Sequence, residues 1–478
     1  MSNNKKIITS FFWAFLERGG SQGIQFVVQI VLARFLLPEE YGMIAFLAVF
    51  IALANIFVTS GLNTALIQKK DVDSVDFSSI FYISFLVATL LYITLFFVSP
   101  YIASFYEEPE LMRVLRILAL TLFPGAFNSI QKAYIARNMM FKKLFFSSFV
   151  ATIISGVIGI VLAYHDFGVW ALTVHQLVRQ VTIVIILFFI VEWRPRLIFS
   201  FKRFKSLFSY GSKLLVSSLL DTLYNNISIL IIGRWYDTKM LGFFHKGQQF
   251  PSILMNNIDG SIQSVIFPAL SIYQDDKKKV KKIAKRALQT SSFITFPMMV
   301  GLAVVAEILI SLLLTEAWLP AVPFLQIFCI SFALWPIHTA NLQVINAIGR
   351  SDIFLKLEII KKILGITIII FSTPFGALGM AWGIVISGVL STAINAIPNS
   401  KLIDYSYIEQ LKDLFPILII SLVMGAVVSI IQFLNFSNGI TIITQVPVGI
   451  AVYISLSAVF RIESLDYLRQ TIKKYRSY

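Results

Sequence analysis

Unbroken apolar stretches of about 20 residues recur along nearly the whole chain, with short polar segments between them. A half-buried strand would alternate apolar and polar positions over roughly ten residues. These runs are longer and continuous, and a lipid-embedded backbone must satisfy its own hydrogen bonds, so the pattern predicts transmembrane helices. Spans are expected at 9–37, 42–67, 77–99, 111–135, 142–165, 167–191, 207–235, 242–270, 287–315, 321–347, 353–373, 375–399, 408–434 and 440–460. The predicted fold is therefore all-α and polytopic, with about fourteen transmembrane helices.

Composition agrees: 57% of the 478 residues are hydrophobic, 14% are charged, and the mean hydropathy is +0.80. The net charge of +15 would suggest nucleic acid in a soluble protein. Its placement argues against that. With the N-terminus inside, Lys69, Lys70, Arg137, Lys142, Lys143, Arg194, Arg196, the run Lys277–Arg286, Arg350, Lys401, Lys412 and the tail from Arg461 to Arg476 all fall on the cytoplasmic side. The opposite loops carry Glu39, Glu40, Glu107, Glu108, Glu110, Asp166 and Glu316, with Lys239 as the exception. This alternation follows the positive-inside rule, so the charge is read as topology, with both termini cytoplasmic and no nucleic-acid partner. The polar start Met1–Lys6 and the pair Glu17–Arg18 predict an uncleaved first span.

The two halves resemble each other at an offset of about 200 residues, as parallel transporter repeats do. Ala33-Arg34-Phe35 through Tyr41-Gly42 faces Gly233-Arg234-Trp235 through Leu241-Gly242; later, Pro124 and Gln131 face Pro336 and Gln343. Six spans separate each pair, so both halves enter the membrane from the same side. The expected organisation is a six-helix bundle at 1–200, a second at 201–400, and two further helices with a basic tail at 401–478. A cavity is expected between the bundles.

Charges at mid-helix cost about 2.5–3.5 kcal/mol each on insertion scales, so each needs a reason. Glu17, Ser21, Gln25 and Gln29 form one stripe on span 1, and Ser217, Asp221 and Asn225 repeat it on span 7. Asp259 and Gln263 on span 8 match Thr59 and Asn63 on span 2. Interhelical hydrogen bonding is the plain reading for any one of these; the repeated stripe favours a hydrated cavity. Arg18, Gln25, Lys132, Arg179, Lys213, Asn225 and Lys361 are the candidate cavity residues, and cations there suit an anionic, diphosphate-bearing headgroup. Lysines near span ends also snorkel to lipid headgroups, which is the competing reading for Lys132 and Lys361. Glu17, Asp221 and Asp259 are candidates for carrying a coupling ion. His165, His175, His245 and His338 lack metal-ligand spacing and are read as structural; Cys329 stands alone. No Walker A loop, GxGxxG or HExxH occurs, so no cofactor and no metal is expected.

The stretch Leu32-Ala-Arg-Phe-Leu-Leu-Pro-Glu-Glu-Tyr-Gly42, then Gly61-Leu-Asn-Thr-Ala-Leu-Ile-Gln68, Ala136-Arg-Asn-Met-Met-Phe-Lys142, Leu241-Gly-Phe-Phe and Phe267-Pro-Ala-Leu-Ser271, resembles polysaccharide-transport flippases. These form the Wzx-like, colanic-acid-exporter-like branch of the multidrug/oligosaccharidyl-lipid/polysaccharide (MOP) exporter superfamily. The resemblance implies two six-helix bundles plus a terminal pair, and alternating access. It also implies a polyprenyl-diphosphate-linked oligosaccharide flipped across a bacterial cytoplasmic membrane for surface polysaccharide. Membrane lipids, and a polysaccharide polymerase with other assembly proteins, are the candidate partners. An ion-coupled multidrug-type exporter is the alternative, although its usual twelve-span core lacks spans 13 and 14. A membrane polymerase is disfavoured because the outer loops here are short.

Overall fold

Long apolar runs with few internal breakers give long helices, and the breaks fall where proline or glycine interrupts them. The computed structural model describes residues 3–59, 61–69, 71–434 and 436–476; Lys70 lies outside them, and among side chains so does Arg18. Every α-helix follows in chain order: α1 (Asn3–Phe35), α2 (Pro38–Thr59), α3 (Leu62–Gln68), α4 (Ser74–Phe105), α5 (Glu110–Ala119), α6 (Leu122–Arg137), α7 (Phe141–Tyr164), α8 (Val169–Ile190) and α9 (Phe201–Trp235). Then come α10 (Thr238–Ile272), α11 (Lys277–Leu313), α12 (Val322–Ala333), α13 (Trp335–Ala347), α14 (Ser351–Ser372), α15 (Gly376–Leu402), α16 (Tyr407–Ile430), α17 (Asn438–Val459) and α18 (Glu463–Arg476). No strand occurs among the described residues. Ten stretches there are long and apolar enough to cross a membrane, and one of them, Ser351–Leu402, holds both α14 and α15.

Three expected spans are interrupted. The span at 42–67 divides into α2 and α3 at Gly61, whose φ of 77° and ψ of −47° no L side chain adopts without strain. The span at 111–135 divides into α5 and α6 just before Phe123-Pro124, and the span at 321–347 divides into α12 and α13 just before Pro336. A proline early in the second segment needs no amide partner there, so each segment restarts as its own helix.

Conversely, the basic run Lys277–Arg286 is not a loop. Asp276 caps α11 by accepting from the Lys279 amide at 3.1 Å, and Val280, Ala284 and Leu288 bury one face. Lys281 and Lys285 reach Glu409 and Asp413 of α16, and Arg286 lies over the Tyr467 ring of α18.

The chain divides into two compact units, Met1–Gly242 and Phe243–Tyr478. In the first, Leu66, Ile80, Ile130, Ile135, Ala151 and Leu187 join α3, α4, α6, α7 and α8 in one core. Arg137 closes α3 by donating to the carbonyls of Leu66, Ile67 and Lys69 at 3.2, 3.2 and 2.6 Å. Helix carbonyls at a C-terminus have no partner of their own, so this side chain completes a helix too short to hold itself. Arg137→Ala is expected to lower stability by about 1–3 kcal/mol, with Arg137→Lys restoring only part because an ammonium lacks the planar fork. Thermal unfolding of the detergent-purified protein checks it.

Beside α3, the buried carboxylate of Asp76 takes Lys69 at 2.8 Å and Arg203 of α9 at 3.5 Å. The hydrogen bond from Arg203 holds the Asp73 carboxyl below the ordinary carboxylate range. A depressed acid contributes stability above its unfolded pKa and loses it as pH falls through the folded one, so this tie is complete at neutral pH. The second unit packs Leu270, Leu288, Val344, Leu414, Met424 and Leu465 into a core shared by α10, α11, α13, α16 and α18.

Candidate functional site

Each unit carries its own concentration of polar side chains, and in each the second segment of a broken helix contributes. In the first unit, α6 presents Asn128, Gln131 and Lys132, and α8 presents His175 and Arg179 one turn apart on a single face. Glu17 of α1 accepts from the Ser148 hydroxyl of α7 at 3.4 Å. Glu17 lies within electrostatic reach of both Lys132 and Arg179, which also sense each other, and Arg179 reaches His175. Four helices thus gather one carboxylate and two cations.

The hydrogen bonding of this cluster is incomplete. Arg179 Nε and both His175 ring nitrogens are buried without a partner among the described residues. So are both amide atoms of Gln131, whose side chain is wholly buried. Asn128 is anchored, donating to the Gln180 side-chain oxygen at 3.0 Å. With one positive charge in excess and donors unused, this face can accept an anion through charge-assisted hydrogen bonds.

In the second unit, a cavity of about 390 Å³ runs beside α13 between α10 and α14, lined by Asp259, Gln263, Trp335, His338, Gln343 and Phe354 among others. Asp259 is held on both oxygens: the Thr339 hydroxyl donates to one, and Gln263 Nε2 to the other at 2.7 Å. Gln343 donates to Gln263 at 3.2 Å. His338 Nδ1 meets the Asn395 amide at 3.1 Å, which fixes its ring. Behind it, Asn341, Asn399 and Gln410 form a buried network joining α13, α15 and α16. Lys361 is paired with Glu358 at 2.5 Å and sits within electrostatic reach of His338.

Among the residues singled out from the sequence, Glu17, Lys132 and Arg179 come together in the first unit, and Asp259 and Lys361 flank His338 in the second. Arg18 has no described side chain. Gln25 is half-buried on α1, away from any contact described above. Lys213, Asp221 and Asn225 are exposed along one face of α9. The stripes on α1 and α9, alike in sequence, differ in setting: Ser21 is buried and Glu17 turns to α7, whereas Ser217, Asp221 and Asn225 are exposed. Sequence reading assigned His175 and His338 to structure alone, and the fold places each beside a site. The signal that pointed to them is the matched pair Phe123-Pro124 and Trp335-Pro336, since interrupted helices in corresponding positions of two halves mark transporter sites.

A polytopic helical chain with polar sites beside broken helices has the architecture of a membrane transporter, and solved structures share its fold. The fold is similar to the lipid II flippase MurJ in an inward closed conformation, with a TM-score of 0.73 at 18% identity over 95% of this chain and 98% of that one. It is also similar to an inward-facing multidrug resistance MATE family transporter of the MOP superfamily, with a TM-score of 0.61 at 14% identity over 80% and 94%. The chain belongs to the polysaccharide biosynthesis protein family, whose model matches residues 31–323. Lipopolysaccharide biosynthesis protein WzxC of Escherichia coli is 24% identical over 89% of this chain and 89% of its own length. The succinoglycan biosynthesis transport protein ExoT of Rhizobium meliloti is 22% identical over 87% and 82%. The chain is thus a multi-pass bacterial membrane protein of that family, with the fold that MurJ and the MATE transporter share.

Proposed function

We propose that the protein flips a polyprenyl-diphosphate-linked oligosaccharide from the inner to the outer leaflet of the cytoplasmic membrane, for surface polysaccharide. Alternating access would operate through fourteen crossings with both termini cytoplasmic: bundles at 1–200 and 201–400 and a terminal pair at 401–478. The observation that carries the reading is the surplus cation of the first unit. Arg179 and Lys132 face one carboxylate, Glu17, and Arg179 keeps an unused donor. A diphosphate supplies the missing anionic acceptors. Of the three candidate ion carriers, Glu17 is the one within electrostatic reach of both cations. Membrane lipids accompany the cargo, and a polymerase with other assembly proteins would receive it.

Deleting the gene tests this. Surface polysaccharide is expected to disappear while lipid-linked repeat units accumulate on the cytoplasmic leaflet, with a plasmid copy restoring both. Unchanged polysaccharide in a strain lacking every related flippase, together with loss of ethidium efflux, would favour the multidrug-type exporter instead.

A further inference from the structure

The second-unit cavity offers different chemistry from the cationic face of the first. Its polar lining is a carboxylate, two glutamine amides, an asparagine amide, the His338 imidazole and the Thr339 hydroxyl, set beside the aromatic rings of Trp335 and Phe354. Amides both donate and accept, as sugar hydroxyls do. A diphosphate accepts only, and would meet the negative charge of Asp259. Thr339 and Gln263 each hold one Asp259 oxygen and leave it a further lone pair to accept from a hydroxyl. That orientation leaves the carboxylate as a fixed acceptor edge. An indole at a cavity wall suits the apolar C–H face of a pyranose, because its ring is apolar while its N–H stays polar. Trp335 begins α13 at the helix break, and the lining continues to Asn346 near the turn into α14. Those twelve residues span about 17 Å of helix. The volume falls in the usual range for small-ligand sites, about 300–1,000 Å³.

We propose that this cavity is a sugar subsite. It takes neutral pyranose rings of the headgroup, with Trp335 stacking on a ring face and Gln343, Gln263 and Asp259 bonding its hydroxyls. The diphosphate is handled elsewhere, by the first unit. This assignment rests on the flippase reading above.

The test uses the purified full chain in liposomes and two cargoes. One is the lipid-linked oligosaccharide extracted from the deletion strain. The other is the same lipid trimmed by glycosidase to its first sugar. Transfer is read by loss of protection from periodate, which reaches only sugars on the outer leaflet. Trp335→Ala is expected to slow the full headgroup roughly tenfold while leaving the trimmed lipid at the wild-type rate. Trp335→Phe is expected to restore most of the loss. Gln343→Leu, which keeps the side chain's size and removes its amide, is expected to show the same split and decides the matter if Trp335→Ala does not fold. Equal slowing of both cargoes, or of neither, in these variants overturns the sugar subsite and leaves the flippase reading standing. A wild-type protein that moves neither lipid overturns the flippase reading and the subsite with it.

Discussion

Arg179→Ala is expected to reduce flipping by at least tenfold while the protein accumulates in the membrane at its normal level. The guanidinium lies midway along α8, within reach of Glu17, Lys132 and His175, and its Nε has no partner among the described residues. Losing a hydrogen bond to a charged group costs roughly 1.5–3 kcal/mol, which corresponds to about 10–150-fold in a rate or an equilibrium. Stability should hardly fall, because the deletion removes a buried charge whose own bonding is incomplete. Arg179→Lys keeps the charge but loses the fork, and is expected to fall between the two. Lys132→Ala should weaken transport in the same direction by a smaller factor, since its side chain is the more exposed of the pair. Arg18→Ala is expected to impair transport too. Quantifying surface polysaccharide and accumulated lipid-linked precursor in the complemented deletion strain reads each variant. Wild-type export by Arg179→Ala would remove the cluster from the substrate path.

Gly61 supports the second large expectation. Where α2 gives way to α3, a Cβ at Gly61 would lie 2.1 Å from the Gly211 carbonyl oxygen of α9, and one at Gly211 would lie 2.9 Å from the Gly61 carbonyl carbon. The two backbones touch, and backbone cannot step aside as a side chain can. Gly211→Ala is expected to cost about 1–3 kcal/mol through overpacking alone. Gly61→Ala carries the same clash and adds roughly 1–2 kcal/mol for a Cβ at positive φ. Gly61→Ala should therefore lower the melting temperature more than Gly211→Ala, and the double variant should cost less than the sum because one separation of α3 from α9 relieves both. Equal, negligible shifts in thermal unfolding would show that this approach is absent from the folded protein in solution.

The difference between the two expectations shows what kind of information a sequence holds. Arg179 and Lys132 stood out on paper because an ionisable group in an apolar run is costly wherever it points. The Gly61–Gly211 contact did not, because a glycine within an apolar run looks the same whether it faces lipid or another backbone. The sequence reads His175 and His338 as structural for a related reason: an isolated imidazole carries no spacing pattern, and only the helices packed around it show whether its nitrogens are used. The basic run Lys277–Arg286 falls outside the span expected at 287–315 because its charges mask the Val280, Ala284 and Leu288 stripe; partners on α16 and α18 draw it into α11.

By itself, the sequence determined that this is an all-helical membrane chain, which charges interrupt its apolar runs, and that two halves share a sequence pattern. Those properties follow from hydropathy, from the 3.6-residue period and from charge placement, all of which are local to one helix or one loop. Tertiary structure alone decided which faces meet. Rotating a helix about its own axis leaves its sequence pattern unchanged but exchanges lipid for protein on each face. That rotation turns Glu17 toward Ser148 while leaving Asp221 exposed, and it sets Trp335, Gln343 and Asp259 around one cavity.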